Sequence, residues 1–117
     1  MSDLIYHMLP AARWATLDAA VDYVADSLAT EGFIHCTGAP TLLAEVANRF
    51  YRAESGAFVI LTIDVARLQA AVRWEWADGH QFPHVYGPIN RTAVVAVHPL
   101  PRGADGGFLP PDLSAAT

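Results

Sequence analysis

The chain has 117 residues and a mass of 12.6 kDa, 53% of it hydrophobic and 16% charged. That is one domain's worth of chain, with enough apolar area to exclude disorder over most of its length. Twelve acids outweigh seven bases for a net charge of -5, and every base is Arg. Such a surface repels phosphate backbones at long range, so nucleic acid is not an expected partner. The absence of Lys also removes Schiff-base and P-loop chemistry.

The longest apolar run, Ala57 to Leu61 continuing through Thr62 to Ile63, falls far short of the roughly 20 residues of a membrane span. Met1-Ser2-Asp3-Leu4 carries no basic segment of the kind that opens a signal peptide. A lone Cys36 forms no internal disulfide. These features predict a cytoplasmic protein without a membrane partner, and leave the oligomeric state open.

In chain order, residues 3–8 read as a strand ending at Pro10. A helix follows from Ala11 to about Val21, with Trp14, Leu17, Ala20 and Val21 at helical spacing. Gly32 opens a short strand, Phe33-Ile34-His35-Cys36, whose alternation places Phe33, His35 and Thr37 on one face. Pro40 starts the second main helix, with Leu42, Leu43, Val46, Ala47 and Phe50 as its apolar stripe. Phe58 to Ile63 reads as a buried strand and Val65 to Leu68 as a helical turn. Ala71 to Trp76 is a further strand, ended by the turn pair Asp78-Gly79. Gln81 to Ile89 is a loop or short strand, and Thr92 to Val97 the last strand. Strands this closely spaced leave no room for helical crossovers. The expected fold is a single compact α+β domain over residues 1–98, with small mixed or antiparallel sheets and two main helices. Residues 99–117, rich in Pro and Gly, are expected to form a surface tail docked through Phe108 and Leu109.

Three of the five His sit in suggestive settings: His7, His35 and His84. Together they are the set a three-His metal site would need, although no pair has diagnostic ligand spacing. Glu75, between Trp74 and Trp76, has two readings. Its apolar neighbours could raise its pKa for acid chemistry, or alternation could turn both Trp to the core and Arg73 and Glu75 to water. Cys36 falls on the strand face opposite His35, so the two do not form a nucleophile pair.

The segments Ile5-Tyr6-His7, Glu31-Gly32-Phe33-Ile34-His35-Cys36-Thr37, Phe50-Tyr51 and Phe82-Pro83-His84-Val85-Tyr86-Gly87-Pro88 resemble the bacterial domain-of-unknown-function family 952 over about residues 4–98. The resemblance implies a fold similar to the ADP-ribosyltransferases, whose cleft between two small sheets holds NAD. By that likeness His7 matches the first-strand position that holds the adenylate ribose. His35 and Thr37 match the nicotinamide side, and Glu75 or His84 would act on the reacting ribose. The chain departs from the pattern where a Glu-bearing strand belongs, offering His84 and Tyr86 instead.

Two functions are therefore expected to compete. One is an ADP-ribosyl-transfer or related NAD- or nucleotide-processing enzyme with catalytic His35, His84 and Glu75. The other is a binding module for a nucleotide or small metabolite, using the same His with the aromatics Tyr6, Trp14, Tyr51 and Tyr86. Pro83 and Pro88 stiffen the segment around His84, which predicts that His84 lines the main pocket beside His35 with Tyr86 near the rim. On this reading His84→Ala changes folding stability by no more than about 1 kcal/mol and abolishes ligand binding. A loss of several kcal/mol with affinity intact would identify a core residue instead.

Overall fold

The structure, a computed structural model, describes residues 3–113. The expectations placed on Met1-Ser2 and on residues 114–117 lie outside the described residues. Six strands form two antiparallel three-stranded sheets. β1 (Leu4–Pro10), β3 (Phe58–Asp64) and β6 (Val94–Leu100) make the first, in the order β1-β3-β6. β2 (Ile34–His35), β4 (Ala71–Ala77) and β5 (His80–Tyr86) make the second, in the order β2-β5-β4. The helices are short: α1 (Ala11–Thr16), α2 (Asp26–Glu31) and α3 (Leu43–Phe50). None of them is long and apolar enough to cross a membrane.

The first sheet is buried on both faces, which is why β1 and β3 read as nearly unbroken apolar runs. Even-numbered residues of β1 and β3 (Tyr6, Met8, Phe58, Ile60) pack with Leu43 and Ala47 of α3 and with Phe108. Odd-numbered residues (Ile5, Leu9, Leu61, Ile63) pack with Ile34 and Val85 of the second sheet and with Tyr23 and Ile89. The sheets meet where Tyr6 and Thr37 exchange two backbone hydrogen bonds, 2.8 and 2.7 Å long.

Several boundaries differ from the periodicity. The helix from Ala11 stops at Thr16, because Leu17 is extended (φ -80°, ψ 138°) and the Asp18 carboxylate accepts from Ala20 N–H. The chain then turns, with Val21 N–H donating to the Asp18 carbonyl, and reaches Tyr23, whose N–H and C=O both pair with Ile89. α2 was not foreseen; it ends at Gly32, where φ 90° lets the Gly32 N–H reach the Ser27 and Leu28 carbonyls. The 40–52 helix divides into a 3₁₀ turn at Pro40–Leu42 and α3, and its Phe50 is 57% exposed. The last strand begins at Val94 after a 3₁₀ turn and continues to Leu100. Asp78-Gly79 does close a two-residue hairpin, with φ 52° and 83°, the pairing that suits strand twist.

The segment beyond β6 is more than a surface tail. Phe108 is buried and Leu109 is half exposed. Asn48 on α3 donates to the Phe108 carbonyl (2.9 Å) and accepts from its N–H (2.6 Å). The Arg102 guanidinium donates to the carbonyls of Gly106, Gly56 and Arg52, over the Phe108 ring. Asn48→Ala is expected to cost about 1–3 kcal/mol, since it leaves two backbone groups unpaired. It should also speed tryptic cleavage after Arg102 under native conditions, where the parent chain resists.

Candidate functional site

A cleft of two adjoining chambers opens beside the seam between the sheets. The larger, about 650 Å³, is lined by Tyr6, Thr37, Phe33, His35 of β2, and Phe82 and His84 of β5, with Phe50 of α3 and Tyr51 just beyond it. The smaller, about 330 Å³, is lined by His7, Arg13, Tyr23, Asp26 and Glu54. Glu31, His35, Met8 and Tyr51 border both.

His35 and His84 face each other across the β2–β5 pairing as directly opposed residues. Their ring centroids are 5.3 Å apart and nearly perpendicular. The phenyl of Phe33 stacks on His84 at 4.1 Å and meets His35 edge-on at 4.8 Å. Each imidazole is held by a carboxylate. His84 Nδ1–H donates to Glu75 Oε1 at 2.7 Å, and His35 Nε2–H donates to Glu31 Oε2 at 2.9 Å. The Tyr86 hydroxyl donates to the same Glu75 oxygen at 2.6 Å. The hydrogen bonds from Tyr86 and from His84 hold the Glu75 carboxyl below the usual carboxylate range, while donating to Glu75 raises the Tyr86 phenol. Among the described residues, His84 Nε2 and His35 Nδ1 make no hydrogen bond and remain for a ligand.

The reading that sent Trp74 and Trp76 to the core is corrected. They are 49% and 73% exposed, while Glu75 turns to His84 and Tyr86. β4 is the edge strand, and its Trp-bearing face runs past the core, the Trp74 ring lying against Gly38. Register explains the rest: Arg73 lies opposite His84 and Glu75 opposite Phe82, so both carboxylate and imidazole project from one face.

His7 has a different setting. Its Nδ1–H donates to the His35 carbonyl at 2.6 Å, and its Nε2 accepts from the Tyr23 hydroxyl at 2.8 Å. Both ring nitrogens are thereby used within the fold, so His7 offers none to a three-His metal set. No three His, Cys, Asp or Glu side chains converge in a ligating arrangement among the described residues. Trp14 lines neither chamber; it packs edge-on to Tyr23 and beneath the Arg91 guanidinium. Glu75 and Tyr86 both stand behind His84, outside the lining of either chamber, and Thr37 and Tyr51 line the larger one. Cys36 is buried, and burial pushes its thiol pKa up, so it is a packing residue. The nearly buried, stacked His84 ring raises the expected cost of His84→Ala to about 2 kcal/mol.

Sequence reasoning did not single out Glu31, Tyr23 or Arg13. Glu31 was within reach of it, because it opens the same motif as His35 at a spacing of four. The αL turn at Gly32 hides that pairing from helix or strand periodicity.

The family model described as Protein of unknown function (DUF952) matches residues 8–97. Among solved structures, the crystal structure of protein CC0527 from Caulobacter crescentus is similar with a TM-score of 0.76 and 29% identity, covering 91% of this chain and 93% of that one. A crystal structure of its double mutant gives 0.76 at 28% identity, with coverage of 91% and 93%. The solution NMR structure of the same protein gives 0.69 at 28% identity and 90% coverage of each chain. A search of curated proteins returned no match.

The state of His7 predicts a pH dependence of folding. Burial lowers its pKa from 6.5 to about 4, so between those values the folded chain binds fewer protons than the unfolded one. Its contribution is full above pH 6.5 and is lost as pH falls. Denaturant unfolding at pH 7.5 and pH 5 should therefore differ by roughly 2 kcal/mol from this group. In His7→Gln, which carries no titrating ring, that part of the difference should vanish.

Proposed function

The chain belongs to the family described as Protein of unknown function (DUF952), and on that premise we propose that its cleft binds a nucleotide of the NAD and ADP-ribose class and transfers the ribosyl carbon to an acceptor hydroxyl. The observation that carries this reading is the His84–Glu75 pair, 2.7 Å apart, whose imidazole lines the larger chamber beside His35 while its carboxylate stands behind that imidazole. The fold likeness to ADP-ribosyltransferases implied by the motifs belongs to the same reading.

The residues present suit such a ligand. Arg13 in the smaller chamber donates to Asp26 at 3.0 Å and to the Val24 carbonyl at 2.9 Å, contacts that a phosphate group would replace. Tyr51, Phe82 and Trp76 in the larger chamber offer flat apolar faces for a base or a pyridine ring. NAD, when bound, supplies an electrophilic ribosyl carbon whose bond to nicotinamide breaks with positive charge building on the sugar. Glu75 and Glu31 then provide negative charge at the site, the role the departed Glu-bearing strand left open. Glu75 fixes the His84 tautomer with hydrogen on Nδ1, leaving Nε2 to take the proton of the acceptor hydroxyl. Tyr86 holds the Glu75 carboxylate in place. The apolar walls, Phe33 and Phe82, exclude bulk water and strengthen each of these interactions.

A second reading, binding without turnover, is favoured by His7. Both of its nitrogens are occupied inside the fold, whereas the ADP-ribosyltransferase pattern uses that position on the ribose. Calorimetric titration with NAD and ADP-ribose, paired with an assay of nicotinamide release, separates the two. Saturable binding with release is expected, and Glu75→Gln should slow release by about 10²–10⁴-fold while ADP-ribose still binds. Saturable binding with no release would establish the second reading. No binding of either nucleotide would overturn both.

A further inference from the structure

The cleft holds one more acid–base pair than removal of a pyridinium requires. Nicotinamide departs from NAD already neutralised by the bond's electron pair, so that step needs a base for the acceptor and no proton donor. The structure nevertheless presents two imidazoles in contact, each oriented by its own carboxylate: His84 by Glu75 and His35 by Glu31. The second pair is poorly explained by stability. The side chains of His35 and Glu31 are 46% and 51% exposed, and ion pairs that open to water contribute little. Its position is specific, however, since both residues border the two chambers at once. Any ligand that spans the chambers passes His35.

We propose that the preferred substrate is a nucleotide-linked ribosyl glycoside whose leaving atom is a neutral oxygen or nitrogen, and that His35, positioned by Glu31, is the acid that protonates it. This rests on the transfer reading above. The anomeric C–O or C–N bond breaks, its electron pair goes to the leaving atom, and the Nδ1 proton of the His35 imidazolium, whose Nε2–H stays on Glu31, joins that atom. The acceptor, water or another hydroxyl, forms the new C–O bond and gives its proton to His84 Nε2. The two imidazoles finish with their protonation exchanged, and the half-exposed His35 regains its proton from solvent. Nothing is oxidised or reduced.

The test uses aryl O-glycosides of ADP-ribose bearing phenols of increasing pKa, with NAD alongside, on the full chain. In the parent protein the rate should depend weakly on phenol pKa, because the leaving oxygen is protonated as it departs. His35→Ala should make that dependence steep: about 10²–10⁴-fold slower for unsubstituted phenol, and at least tenfold less affected for p-nitrophenol. Glu31→Gln should move the rates in the same direction by a smaller factor. A structural role would slow every substrate alike, so an equal loss across the series, in a His35→Ala or His35→Gln chain that still binds ADP-ribose, overturns this proposal and leaves the transfer reading standing. Binding of ADP-ribose with turnover of neither NAD nor any glycoside overturns both.

Discussion

A neutral, buried imidazole holds the molecule's two halves in register. His7 belongs to the first sheet, and the carbonyl it binds belongs to His35 of the second. Its other nitrogen fixes Tyr23, in the link between α1 and α2. The two rungs between Tyr6 and Thr37 run alongside. A charged ring in that position would put a second N–H, on Nε2, against the Tyr23 hydroxyl that now donates to it, and bear the cost of leaving water. The cleft therefore exists on condition that this ring stays uncharged, and the chain meets that condition by enclosing it rather than by pairing it with an acid.

From that tie the rest of the site follows by register. With His35's carbonyl committed to His7, its side chain is turned to the opposite side of β2, toward His84. β5 then carries His84 and Tyr86 on one face, and the hairpin register brings Glu75 to the same face from β4. Two short-range devices, the αL turn at Gly32 and the Asp78-Gly79 turn, place the two carboxylates. The polar groups are thus carried by backbone pairing on a rigid sheet, the setting in which a small angular tolerance can be kept.

Much of this architecture was legible in the sequence. The strands at Leu4, Phe58 and Ala71 have apolar runs or alternation strong enough to be read directly, and the α3 stripe marks its helix. That His35 and His84 share one chamber was legible because both fall in motifs with little else to explain them. What stayed hidden was set by distant contacts. Leu17 and Val21 fit a helix locally, yet Tyr23 is drawn into pairing with Ile89, a competition no window of a dozen residues can represent. Alternation alone cannot say which face of β4 meets the core, because β4's place at the sheet edge decides it. Phe108 looked like part of a tail because its partner, Asn48, lies 60 residues away.

The brevity of β2 has a consequence for how the molecule behaves among its own copies. Two residues of pairing cover β5 only at Val85 and His84, so the flank beyond is an open strand edge at the mouth of the cleft. An open edge is a template on which another chain can lay a strand. Pro83 stands where β2 gives out; its carbonyl is taken by Cys36 N–H, and its nitrogen has no hydrogen to offer an incoming strand. The proline that stiffens the His84 segment thus also withholds a backbone donor from the edge where β2 ends.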